Sequence, residues 1–135
     1  MNDDTLRQHL SQARTIAVVG LSTDPAKASH RVASYLQAQG YRIIPVHPRA
    51  DELLGERVVR SLAEIAEPVD IVDVFRPGPE TLRWAEEAIT NGAGLLWLQE
   101  GITSEETAAR AEAAGLPWVM DACLMVEHRR LLGKV

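Results

Sequence analysis

The chain has a single cysteine, Cys123, and so cannot form an intramolecular disulfide, which fits a reducing, cytoplasmic setting. It has no apolar run near the roughly 20 residues of a membrane-crossing helix, so no membrane partner is expected. Its start, MNDDTLRQHL, is polar and acidic, unlike a signal or transit peptide. It has no excess of positive charge: the formal net charge is −5, which argues against a general nucleic-acid binder. Signatures of catalysis are missing as well. His9, His30, His47 and His128 are scattered, no pair has metal-ligand spacing, and no metal site is expected. No two carboxylates form an evident acid–base couple. Cys123 and Glu127 lie one helical turn apart, but His128 is five positions from the thiol and faces elsewhere. A buried structural cysteine is therefore preferred to a thiol dyad. No catalytic residue is assigned; the balance is against an enzyme, and the question stays open.

What is present is an ordinary globular composition, with 46% hydrophobic and 24% charged residues, and a length of 135 residues that suits one domain, 1–135. Apolar runs rich in β-branched residues alternate with helical patterns. The predicted strands are 15–20, 41–46, 69–75, 94–98 and 116–120. The predicted helices are 3–13, 29–39, 61–66, 79–91, 104–114 and 123–131, with Ser61 and Glu64 as a capping box and prolines at the start of 79–91. Residues 49–67 are otherwise irregular, with Gly55 marking a turn and Val58–Val59 a brief extension, and Trp84, Trp97 and Trp118 are assigned to the core. Strand cores that are apolar throughout indicate a parallel sheet covered on both faces. The expected fold is α/β, a Rossmann-like doubly wound sheet of about five mainly parallel strands with helices on both faces.

In such sheets ligands bind beyond the carboxyl ends of the strands, so the residues there are the candidates. The organising stretch is TIAVVGLSTDPAKASHR, a strand, a glycine turn and a helix start. Helix starts and turn amides bind anions, because unpaired N–H groups and the helix dipole point the same way. The turn is not a dinucleotide fingerprint, for only Gly20 of the three glycines is present, and it is not a Walker loop. The second strand ends in Pro45, Val46 and His47, without the acidic residue that holds the ribose of NAD. Ser22 can donate to a phosphate. Lys27 can neutralise one or be a solvated loop lysine. Arg76 follows a buried strand and offers a phosphate-shaped fork of donors, or pairs with Asp73 or Glu100. His30 is a ligand contact at the helix start, or a capping or surface residue. Residues 20–49 carry Lys27, Arg31, Arg42 and Arg49 against Asp24 alone, a local +3 that leaves −8 elsewhere. That spread suits a small anionic ligand, and chance clustering accounts for it equally well.

Several pieces together resemble a known family. Gly20-Leu21-Ser22 with Ser29-His30, GYRIIPVHP (40–48), LLG (53–55), VDIVDVFRP (69–77), GAGLLWLQEGI (92–102) and DACLMVEHRRL (121–131) occur in order over nearly the entire chain. They resemble the stand-alone CoA-binding domain proteins, which are similar to the CoA-binding half of the succinyl-CoA synthetase alpha subunit. The resemblance implies a nucleotide-binding Rossmann-like domain that holds coenzyme A by its ADP moiety. It implies Gly20, Leu21 and Ser22 at the phosphates with Lys27, His30 and Arg31 close by. Pro45, Val46 and His47 fall around the adenosine, Phe75, Arg76 and Pro77 beside the nucleotide, and Leu98, Gln99 and Gly101 along the pantetheine arm. Two positions depart from the family pattern, His47 where Asn is usual and Ala122 where Arg is usual.

The expected function is binding of coenzyme A or an acyl-CoA through its diphosphate, without catalysis of its own. The partner is then that small molecule, with homo-oligomerisation left open. Two rivals stand beside this reading. One is a small NAD(P)-binding Rossmann enzyme or redox sensor, with Arg49 taking a 2′-phosphate. The other is an interaction module without a ligand.

Overall fold

The computed structural model describes residues 1–133; the last two positions of the predicted domain lie outside them. Five parallel strands form the main sheet: β1 (Thr15–Val19), β2 (Arg42–Val46), β5 (Ile71–Val74), β6 (Leu95–Leu98) and β7 (Trp118–Val119), in the order β2-β1-β5-β6-β7. The short pair β3 (Glu52–Leu53) and β4 (Glu56–Arg57) is antiparallel and separate. The helices are α1 (Asp3–Gln12), α2 (Ala28–Ala38), α3 (Thr81–Asn91), α4 (Glu105–Ala113) and α5 (Leu124–Leu132). This is the predicted Rossmann-like doubly wound sheet, and its order reverses between β1 and β5.

Each strand alternates its side chains between two cores. Ile16, Val18, Ile43, Ile71, Leu95 and Trp97 pack under α1, α2 and α5 with Leu10, Val32, Leu36 and Leu124. Ala17, Val19, Val72, Val74, Leu96 and Leu98 pack under α3 and α4 with Trp84, Ala88 and Ala111. Apolar side chains on both faces are why the strands read as continuous hydrophobic runs. Burial of side chains such as Ile16, Leu36 and Leu95 contributes roughly 1.5–3 kcal/mol each before the entropy of ordering them is counted.

The ends of the elements follow local chemistry. Asn2 caps α1 by accepting the Thr5 N–H at 2.8 Å, and Ser104 caps α4 by accepting that of Thr107 at 3.1 Å. The predicted helix 61–66 shortens to a single 3-10 turn, Leu62–Glu64, because Ile65 is already extended and Glu67 precedes a proline. Its predicted capping partner is used: the Glu64 carboxylate accepts the Ser61 N–H at 3.2 Å. The helix predicted to begin at 79 opens with a 3-10 turn, Gly78–Glu80, that runs into α3. The predicted strand 116–120 is reduced to two residues at the edge of the sheet. Trp97 is fully buried and donates its indole N–H to the Ala122 carbonyl at 2.8 Å. Trp118 is only half-buried, its indole bonded to Glu112, and so is not the core residue expected. No helix among the described residues is long and apolar enough to cross a membrane.

Candidate functional site

A cleft of about 980 Å³ opens beyond the carboxyl ends of β2, β1 and β5, at the point where the strand order reverses. Gly20, Leu21 and Ser22 line it from the end of β1, Val46 and His47 from β2, and Arg76 from β5. These are six of the residues singled out in the sequence.

Gly20 makes the junction. Its φ is +82°, and its N–H donates to the Val46 carbonyl at 3.2 Å. A Cβ at this position would lie 2.9 Å from the Phe75 carbonyl oxygen and 3.0 Å from Cδ of Arg76. The glycine therefore serves the close approach of the β1 turn to the β5 tip, and one glycine is enough for that. Beyond it the loop folds on itself. The Ser29 hydroxyl accepts the Ser22 N–H at 2.9 Å, the Ser22 hydroxyl accepts the Asp24 N–H at 3.0 Å, and the Asp24 carboxylate accepts that of Ala26 at 2.9 Å. The first turn of α2 is thereby tied to the Gly20 turn. That helix has no side-chain N-cap and no acidic residue in its first turn, so its leading N–H groups keep their positive dipole end uncompensated.

At the tip of β5, Arg76 donates one nitrogen to both oxygens of Glu80, each at 3.0 Å, in a pair whose side chains are 45% and 49% exposed. Its partner is thus Glu80, not the Asp73 or Glu100 that the sequence offered. Asp73 points away, into the α1/α2/α5 side of the sheet between Val18 and Trp97 in register, where it is fully buried. Neither of its carboxylate oxygens has a partner among the described residues, and burial holds its pKa well above the usual carboxylate range.

At the tip of β2, the ring of His47 accepts at Nδ1 from the backbone N–H groups of Arg49 (3.0 Å) and Ala50 (2.9 Å). Arg60 closes the same loop. Its guanidinium donates to the carbonyls of His47 (3.0 Å), Ala50 (2.5 Å) and Arg49 (3.2 Å) and to the Asp51 carboxylate (3.0 Å). The lower wall is α3: Arg83 lies 4.3 Å over the ring of Trp84 and pairs with Glu87 at 2.9 Å.

The other predicted residues lie outside this lining. Pro45 is buried within β2, opposite Val18. Lys27 is exposed just before α2, Arg31 donates back to the Ala26 carbonyl, and His30 is half-buried in the first turn. Phe75 is half-buried against the core and Pro77 is exposed. Leu98 is buried in β6, and the Gln99 side chain accepts the Leu124 N–H at 2.9 Å, capping α5. Gly101 is exposed and donates to Asp121 at 2.7 Å. Of the basic residues in 20–49, Arg42 sits at the far end of its strand, paired with Glu67 at 3.1 Å. Cys123 is half-buried rather than buried, and His128 bonds Tyr35 at 2.8 Å instead of the thiol. Arg60, Glu80, Arg83 and Trp84 were not anticipated at the cleft. None directly follows a strand of the main sheet, which was the signal used.

The family model for the CoA binding domain matches residues 14–129. The uncharacterized protein YneT of Bacillus subtilis (strain 168) is 42% identical over 123 residues, which is 91% of either chain. The solved structure of cell-free ID.343 from Thermus thermophilus is 49% identical, with a TM-score of 0.93 over 98% of this chain and 100% of that one. The alpha subunit of the ADP-forming acetate–CoA ligase II of Pyrococcus furiosus is 33% identical over 97 residues, 69% of this chain but 21% of the subunit. With the match spanning the strands and turns that build the cleft, the chain belongs to the CoA binding domain family.

Proposed function

We propose that the protein binds coenzyme A, free or acylated, through its ADP diphosphate at the cleft between the tips of β1 and β5, and that it performs no chemistry of its own. The observation that carries this reading is the contact of Gly20 with Phe75 and Arg76, which brings a glycine turn and an exposed guanidinium to one spot at the switch point. A diphosphate needs several donors. Arg76 supplies a charged fork, and the uncapped start of α2 behind the turn supplies backbone N–H groups. The β2 tip lines the cleft with Val46, His47 and Pro48 rather than a carboxylate, which disfavours the ribose hydroxyls of NAD. Lys27, His30 and Arg31 then lie on the diphosphate side, Phe75 and Pro77 beside the nucleotide, and Leu98, Gln99 and Gly101 toward the pantetheine arm.

Titration calorimetry with CoA, acetyl-CoA, dephospho-CoA and NAD tests the reading. Saturable heat is expected with the CoA species. Absence of binding by every CoA species overturns it, and tight binding of NAD alone moves the assignment to a dinucleotide site.

A further inference from the structure

Arg60 looks, by charge and position, like a second phosphate ligand of the cleft, yet its hydrogen bonds are spent elsewhere. Three go to backbone carbonyls of the 47–51 loop and one to the Asp51 side chain. The loop is further fixed by the His47 N–H to the Val59 carbonyl at 3.1 Å and the Val58 N–H to the Asp51 carbonyl at 3.0 Å. Inside it, His47 receives two backbone N–H donors at Nδ1. A nitrogen that accepts carries no proton, so the imidazole is neutral with its hydrogen on Nε2. Nε2 has no protein partner among the described residues, and His47 lines the cleft. We infer that Arg60 is a positioning residue: it holds the β2 tip so that His47 is locked in one tautomer and presents Nε2–H to the cleft as a fixed, uncharged donor for an acceptor atom of the ligand. The inference rests on the coenzyme A reading for the identity of the ligand, but the lock itself belongs to the free protein.

The two parts are tested separately. In the free protein at pH 8, nitrogen-15 NMR of the His47 ring is expected to show an unprotonated Nδ1 and a protonated Nε2, with almost none of the other tautomer. Arg60→Ala and Arg60→Lys are both expected to give a mixture, because a lysine ammonium cannot reach three carbonyls and a carboxylate together. A wild-type ring with its proton on Nδ1, or a ring unchanged in both variants, overturns the lock. In CoA titrations both variants are expected to lose about tenfold in affinity, the equivalent of one strong hydrogen bond. Wild-type affinity in Arg60→Lys beside a loss in Arg60→Ala shows that Arg60 acts as a charge on the ligand, which overturns the positioning role. His47→Leu is expected to bind several-fold more weakly than His47→Asn, whose amide can both accept the two N–H groups and donate. Equal binding by those two variants overturns the role of the ring. A wild-type protein that fails to bind CoA defeats the ligand reading and leaves the NMR result to decide the lock.

Discussion

Two arginines reach the same cleft, Arg60 bonded to the loop at the tip of β2 and Arg76 at the tip of β5, and the two are held in opposite ways. Arg60 donates to three main-chain carbonyls and a carboxylate, so its removal orphans a loop. Arg76 is held by one half-exposed carboxylate, a pair worth at most about 1 kcal/mol that any better anion can replace. Residue type and position do not separate them; the acceptors do. An arginine bonded to backbone is part of the scaffold, and one bonded to an exposed side chain is available to a ligand.

The largest expected effect lies in the scaffold beneath both tips. Asp73 is on the strand that carries Arg76 but on its opposite face, buried without a hydrogen bond among the described residues, and burial raises its pKa. The unfolded chain releases this proton near pH 4 while the folded chain retains it. The contribution of this group to stability is therefore greatest below about pH 4 and falls as pH rises toward the folded pKa, by up to about 1.4 kcal/mol per pH unit. Asp73→Asn is expected to remove that slope, so that its stability advantage in urea titrations grows from pH 4 to 7 while CoA affinity is unchanged. A parallel pH dependence in the two proteins would show that Asp73 is solvated or paired, and a loss of affinity would tie Arg76 to the buried carboxyl.

Gly20→Ala attacks the junction of the two tips. The left-handed φ and the 2.9 Å approach to the Phe75 carbonyl predict a stability loss of roughly 1–3 kcal/mol, together with weaker binding. Thermal unfolding at neutral pH checks it, and an unchanged midpoint with unchanged affinity would mean that the turn and the β5 tip are not coupled. Arg76→Ala is expected to weaken CoA binding by roughly 1–3 kcal/mol with little change in stability, the mirror image of Asp73→Asn. An unaltered dissociation constant would place Arg76 with Arg60 in the scaffold.

The strand–helix alternation and the turn at Gly20 were legible because each depends on local pattern: apolar runs, a glycine, a capping serine. The same holds for the candidates that directly follow strands, of which Gly20, His47 and Arg76 line the cleft. Of the β3–β4 hairpin the turn at Gly55 was legible and the two short strands were not. Its turn places Leu54 and Gly55 both at positive φ, and leucine in that role carries no turn signal; the Gln37 side chain holds it by donating to the Leu54 carbonyl at 2.9 Å. Arg60 was hidden for a related reason. It reaches the cleft because Val59 bridges Val46 alongside β2, a pairing between segments that no periodicity announces. Glu80 was hidden as the partner of Arg76 because Arg76 lies before the predicted helix 79–91, whereas the 3-10 turn Gly78–Glu80 ahead of α3 sets the two side chains at helical spacing.

The smallest expected effect sharpens the comparison most. The two oxygens of Glu80 occupy the Arg76 nitrogen that a diphosphate would take, and they stay in the cleft as a negative charge once displaced. On the coenzyme A reading proposed above, binding replaces one anion by another on the same guanidinium. Glu80→Gln keeps the length of the side chain and removes its charge, so affinity for CoA is expected to rise by about two- to fivefold, within the range of an exposed ion pair. The gain should shrink as salt is raised, because the pair is open to solvent. The opposite sign, a loss of affinity in Glu80→Gln, would mean that Glu80 aims Arg76 as the loop carbonyls hold Arg60, and since the two side chains are equally exposed, 45% and 44%, the distinction between the two tips would be lost.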